Sequence, residues 1–509
     1  MNSKGIGAAA SRSASIRSAL GHPVIDADGH WIETAPVMKE FFLDYVKNIG
    51  GGDVAKRFEA AGGLDYDDTV LRPWAALSDD QRRATWATRP PWWTLPAANT
   101  LDRATAHLPG LLAERLDDFG IDFAVLYPSR TLTTPAIREA ELRQIACRAL
   151  NIYHAELYGS HPDRMTPVAM IPMHTPEEGI AEIEYAVGEL GLKAIMINGL
   201  IHRPIGESMP GESMASNQKG MPNWGSGSGE RIDSLGLDSA FDYDPFWRRC
   251  VELRVAPASH TPGMGWGSRR SISSYVANHI GSFGASMEAL CRGLFLGGVT
   301  RRFPELAFGM LEGGVTWACE LYAGLVSHWE KRNAVSIHEL DPARIDEALL
   351  LQLFEQYGNE RMARNGEAIA DSFKKLEPPP PFFDEFAACE IKQKEDIRDL
   401  FVPRFYFGCE ADDATVAWAF DERVNPMGAK LRAMFSSDMG HWDVPEMSGI
   451  LEEAYELVEK KLIDPENFRD FVFTNPVRFY TRVNPDFFAG TRVAETAASV
   501  VAEESQSHG

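Results

Sequence analysis

No uninterrupted apolar run in this chain reaches the ~20 residues that a membrane-spanning helix requires. No glycine loop of the dinucleotide or Walker type occurs, so the common nucleotide sites are not expected. Positive charge is scarce: 50 Lys and Arg stand against 73 Asp and Glu, giving a formal net charge of -23 and a pI of about 5.0. Such a surface repels nucleic acid and anionic membranes, so neither is an expected partner and a small-molecule substrate is. An anionic substrate is still allowed, because a metal ion and local arginines set the field inside a cleft. Cysteine is sparse as well. Cys147, Cys250, Cys291, Cys319, Cys389 and Cys409 form no CxxC pair and sit mostly among apolar residues. That favours reduced, buried thiols in a cytoplasmic protein over a disulfide framework. Residues 1–20 are rich in Ala, Ser and Gly and lack the apolar stretch of a secretory signal, so a flexible extension is expected.

What is present points to an α/β architecture. The 509 residues, 44% hydrophobic, suffice for one elaborated barrel or for two to four domains. Strand and helix signals alternate. Strands are expected at Pro23–Asp28, Phe123–Tyr127, Thr166–Ile171, Lys193–Ile197, Arg254–Ala258, Leu306–Leu311, Phe405–Gly408 and Ala433–Ser437. Helices are expected at Ala35–Val46, Gly110–Phe119, Ile137–Tyr158, Pro176–Leu190, Ile272–Gly293, Pro445–Lys460 and Pro465–Phe473. Eight strands with interleaved helices make one (β/α)8 TIM barrel over residues 21–485. Three segments are too long for simple connections: 32–108, 201–242 and 336–397. They are expected to form a lid or accessory lobe, the second as an irregular loop over the barrel mouth. Pro378–Pro381 marks a stiff turn or linker. Residues 486–509 are expected to be a flexible tail.

Four strand ends carry residues that suit a catalytic divalent ion. Asp28 and His30 are two apart on an extended segment and share a face, with Asp26 alternating onto the same side as a supporting group. His260 follows a buried strand and precedes Thr261-Pro262-Gly263. Glu312 follows an apolar strand and precedes Gly313-Gly314, where a carboxylate is costly unless paired, metal-bound or wet. Asp438 ends the last strand, and His441 lies close enough to support it or to touch substrate. The plain alternatives are a turn carboxylate, a structural histidine and a helix cap. Ser436-Ser437 lacks the nucleophile-elbow glycines, which argues against a serine nucleophile.

These segments resemble the amidohydrolase-related family, in the branch that contains aminocarboxymuconate-semialdehyde decarboxylase and related aromatic-acid decarboxylases. The matching pieces are Ile25–His30, Glu114–Ser129, Arg301–Trp317, Phe435–Asp443 and Asn475-Pro476, in order along nearly the whole chain. The resemblance implies a (β/α)8 barrel with one divalent ion, zinc foremost and manganese next. It places metal ligands at Asp28, His30, His260 and Asp438. It also implies a possible homodimer. The chain departs from the decarboxylases at the sixth strand, where they usually carry a histidine and this chain has Glu312.

The leading expectation is therefore non-oxidative decarboxylation of an aromatic or unsaturated carboxylic acid. Asp438 would protonate the carbon that loses carbon dioxide, with Glu312 and His441 relaying protons or orienting substrate. Hydrolysis of an amide, ester or activated carbon–carbon bond is the close alternative, in which the ion acidifies a water and Glu312 or Asp438 takes its proton. A ligand-binding barrel without catalysis is the third. Trp92, Trp93 and Trp266 are candidate pocket walls.

Overall fold

A computed structural model describes residues 11–49, 51–60, 67–91, 97–199, 201–204, 230–374 and 384–507. Its strands are β1 Ile25–Trp31, β2 Phe123–Pro128, β3 Met165–Ile171, β4 Ala194–Ile197, β5 Ile201–Pro204, β6 Glu230–Asp233, β7 Pro257–Ser259, β8 Phe308–Met310, β9 Phe405–Cys409 and β10 Arg432–Phe435. Eight of them pair in the order β1-β2-β3-β4-β7-β8-β9-β10, each neighbouring pair parallel. Parallel strands must be covered on both faces, and β1, β2, β3, β4 and β9 are buried along their whole length.

The last strand meets the first through side chain as well as backbone. Asp438 N–H donates to Asp28 O at 3.1 Å and His30 N–H to Met439 O at 3.2 Å. The Asp26 carboxylate accepts from Ser437 N–H at 2.9 Å and from the Ser437 hydroxyl at 2.6 Å. Together these bonds bring the ends of the sheet together as a (β/α)8 barrel. Gly29 makes the carboxylate bridge possible, since a Cβ there would lie 2.4 Å from Asp26 Oδ2. The β1–β2 register also shifts between Asp26 and Gly29, an irregularity that re-aims the end of β1.

Both chain ends differ from expectation. Arg12–Ala19 forms a helix capped by Ser11, whose side chain accepts from Ala14 N–H. It is pinned by Ser13, whose hydroxyl accepts from Glu452 N–H, and by ion pairs of Arg12 with Glu452 and Glu459 and of Arg17 with Asp122. At the other end Ala494–Ser507 is a helix. Its anchors Val493, Ala497 and Val500 recur at helical spacing and are each at most 2% exposed. Segment 201–242 is not wholly irregular, because β5 and β6 pair antiparallel into a hairpin stem. The helix expected at Ile272–Gly293 is broken into Tyr275–His279 and Ser282–Leu296 by Gly281 at φ +66°. Pro378–Pro381 lies outside the described residues.

Segment 32–108 is mostly helical, including Ala35–Asn48, Gly52–Ala60 and Thr100–His107. Its first two helices form a small core of their own, where Phe42 and Phe58 stack and pack with Leu142, Ala146 and Ala149 of the helix Ala140–Tyr158. That helix buries His154 completely, edge-on to Trp31 of β1 at 4.7 Å between ring centroids. Burial lowers the imidazole pKa to about 3. A base depressed in the folded state stabilises above its unfolded pKa and loses that contribution as pH falls toward the folded value. Wild type is thus expected to lose about 2 kcal/mol from this group between pH ~6.5 and ~5. His154→Phe should flatten the slope of stability against pH in urea melts over that interval. An unchanged slope would contradict the assignment.

Candidate metal centre and active site

The ends of β1, β7, β8 and β10 face one point at the C-terminal mouth of the barrel, where such enzymes hold their chemistry. His30 Nε2 and His260 Nε2 lie 3.1 Å apart, with ring planes at 78°. Asp28 Oδ1 stands 3.6 Å from the first and 3.5 Å from the second. Asp438 Oδ1 is 3.4 Å from His30 Nε2, and Glu312 Oε2 is 2.6 Å from His260 Nε2. His441 lays its ring beside that of His30, with centroids 3.9 Å apart, and touches Asp438 through Nδ1. Two overlapping groups result, Asp28–His30–His260 and His30–Glu312–Asp438–His441, each with its donor atoms within 4.8 Å of one another.

Backbone geometry aims the carboxylates. Glu312 has φ +55° and Asp438 φ +49°, left-handed conformations that non-glycine residues adopt at a cost of roughly 1–3 kcal/mol. Gly313, the residue after Glu312, passes so close to Gly284 that a Cβ would meet its backbone at 3.1 Å. That contact fixes the turn presenting Glu312 against the helix Ser282–Leu296.

The electrostatics describe a centre short of positive charge. Burial, then His441 and His260, holds His30 well below the usual imidazole range. His260 and His441 are lowered mainly by burial. Asp28 is pushed well up by burial, and Asp438 by burial and then Glu312 and Asp443. Burial carries Glu312 up to about 8, although His441 opposes it. Neutral imidazoles offer lone pairs, and carboxyls that hold protons in a protein without metal release them to a cation. Asp28 Oδ1, Glu312 Oε2 and both Asp438 oxygens are buried without a well-directed hydrogen bond, their close polar contacts being the imidazole nitrogens of His260, His30 and His441. Neutral imidazole nitrogens with buried carboxylate oxygens are a donor set that fits zinc or manganese.

Beside the centre opens a cleft of about 470 Å³, walled by Glu312, Glu410, Asp412, Asp413, Asp443, Phe283 and Trp442 among others. Burial and then Glu312 raise Glu410 to about 9. Sequence reasoning missed Glu410, Asp412, Asp413 and Asp443. Glu410 directly follows the end of β9, so the rule applied to four other strands would have found it.

The structure brings together Asp28, His30, His260, Glu312, Asp438 and His441. Trp266 is not in the cleft; it lines two adjoining pockets of about 680 and 150 Å³ with residues such as Trp317 and Thr261. Trp92 and Trp93 lie outside the described residues.

The sequence model of the family described as "Amidohydrolase" matches residues 25–363. Among solved structures, an amidohydrolase from Mycobacterium avium subsp. paratuberculosis K-10 aligns at 15% identity and TM-score 0.50, over 91% of this chain and 98% of that one. The 2,6-dihydroxybenzoate decarboxylase from Rhizobium aligns at 14% identity and TM-score 0.47, over 90% and 99%. A dihydroxybenzoic acid decarboxylase from Polaromonas sp. JS666, with bound manganese and 2-nitroresorcinol, aligns at 16% identity and TM-score 0.45, over 90% and 97%. At such identities a likeness speaks to fold alone. No helix among the described residues is long and apolar enough to cross a membrane.

Proposed function

Given that this chain belongs to the amidohydrolase family, we propose that it is a divalent-metal-dependent hydrolase of a small molecule bearing an amide, ester or activated carbon–carbon bond. Asp28, His30, His260 and Asp438 would hold one ion, zinc or manganese. When bound, the ion supplies Lewis-acid polarisation and a water acidified toward neutrality. The chain's own residues carry the proton traffic. Glu312 stands between His260 and the cleft, placed to take a proton at Oε2 and return it to the leaving group. His441 orients the Asp438 carboxylate through Nδ1. Asp26 holds the end of β10 in register through Ser437.

The observation that carries this reading is Glu312, a buried carboxylate that touches a proposed ligand and opens to the substrate side. The five carboxylates in the cleft, with no lysine or arginine among its described lining residues, also disfavour an anionic substrate. Decarboxylation is the second reading. It is favoured by the tendency of Asp438 and Glu312 to hold protons, which suits delivery of a proton to carbon.

Elemental analysis of protein purified without added metal tests the premise, with wild type and Asp438→Ala side by side. About one zinc or manganese per wild-type chain is expected for a mononuclear centre, and less in the variant. Turnover of ester and amide panels without carbon dioxide release would support hydrolysis. Stoichiometric carbon dioxide would select decarboxylation. A wild type that neither contains nor takes up metal would sink both.

A further inference from the structure

We propose that the cleft beside the centre binds the cationic end of the substrate, a protonated amine or other organic ammonium group, between Glu410, Asp443 and the ring of Trp442. The proposal rests on the catalytic reading of the adjoining centre and names the substrate class for it.

Charge balance is the first reason. One divalent ion brings two positive charges to a centre of three carboxyls, Asp28, Glu312 and Asp438. The cleft adds Glu410, Asp412, Asp413 and Asp443. Asp413 is committed locally, because its Oδ1 accepts from Thr415 N–H at 2.8 Å and from the Thr415 hydroxyl at 2.5 Å. No lysine or arginine among the described residues pairs with Glu410, Asp412 or Asp443, although surface acids elsewhere in the chain are widely paired with arginine. Clustered carboxylates without a partner are costly unless a positive group joins them.

The second reason is burial. The Glu312 side chain is only 5% exposed and lines the cleft, with an oxygen that lacks a well-directed hydrogen bond. Its nearest polar neighbour is His260 Nε2, whose lone pair the centre requires, with donor atoms of His30, Asp438 and His441 within 4.8 Å. Asp443, half-buried, lies beside the Asp438 carboxyl and lines the same cleft.

The third reason is the aromatic wall. Trp442 is 45% exposed, and Tyr275 and His279 meet it at 75° and 72°, with centroids 6.3 and 5.8 Å away. An exposed indole that lines a cleft of carboxylates offers an ammonium group cation–π attraction as well as charge. A second metal ion fits less well, because Glu410, Asp412 and Asp443 form no converging ligand group among the described residues.

The test is direct binding, so it does not depend on turnover. Benzyltrimethylammonium, benzylamine, benzyl alcohol and benzoate are titrated into metal-loaded and chelated protein by calorimetry, with indole fluorescence as a second readout. The two ammonium probes should bind at least about tenfold tighter than benzyl alcohol, and more weakly as salt rises. Asp443→Asn and Glu410→Gln should each weaken them about tenfold while leaving thermal melting unchanged or higher, since each variant relieves the burial of an ionisable carboxyl in a crowded cluster. Three results would overturn the proposal: equal binding of the neutral isostere, ammonium binding untouched in both variants, or a second equivalent of manganese that excludes the amines. Absence of any metal would sink the hydrolase reading, yet leave ammonium binding to chelated protein measurable.

Discussion

His260→Ala is expected to strip the ion and abolish turnover while the barrel remains folded. His260 Nε2 is the donor closest to both halves of the centre, lying 3.1 Å from His30 Nε2 and 2.6 Å from Glu312 Oε2. Loss of a group that merely supports a ligand costs roughly 10–100-fold in metal affinity, so loss of a ligand should exceed about a hundredfold. The space left behind is bounded by Phe283, whose ring stands edge-on to His260 at 5.2 Å between centroids. That limits collapse and should cost about 2–4 kcal/mol, as other large-to-small core changes do. The His260 ring packs against His30 of β1 and Tyr127 of β2, with centroids 4.8 and 5.6 Å away, but the hydrogen bonds that join β10 to β1 do not involve it. Elemental analysis and a melting curve on one preparation decide the matter. Wild-type metal content in a folded His260→Ala protein would remove His260 from the ligand set.

Glu312→Gln is expected to lower kcat by about 10²–10⁴-fold with metal content unchanged. The amide keeps the shape and cannot accept a proton, so the basic function is lost and the ion stays. The acidic limb of the kcat pH profile should vanish with it. Stability should move the other way. In chelated protein the Glu312 carboxyl titrates at about 8 in the folded state, above its unfolded value. A group raised in this way stabilises fully below the unfolded pKa and loses that contribution as pH rises through the folded one. Chelated Glu312→Gln should therefore melt above chelated wild type at pH ~8, a trade of activity against stability familiar at charged sites. If the variant loses its metal together with its activity, Glu312 is a ligand and the proton acceptor must be sought at Asp438.

The barrel was largely legible because its strands are apolar runs bounded by turn residues. Their ends shifted by a few residues, β7 starting at Pro257 rather than Arg254, since ladder hydrogen bonds and not side-chain pattern end a strand. The helices at both chain ends were illegible. Arg12–Ala19 is short and rich in serine, and its order comes from Glu452, Glu459 and Asp122, far away in sequence. Candidate ligands stood out as polar residues closing apolar strands. The acidic cleft did not, because Glu410, Asp412 and Asp413 read as a solvated charge run until the fold turns them toward Glu312. The role of Asp26 was visible only as proximity to Asp28. Its partner Ser437 is 411 residues away.

That separation has a consequence for how the protein matures. His30 and Asp28 are made early and Asp438 almost last, and the bridge from Asp26 to Ser437 forms only after β10 arrives. A chain ending before β10 would carry three of the four proposed ligands, Asp28, His30 and His260, and lack Asp438. The proposed centre is thus completed only when β10 closes the barrel against β1.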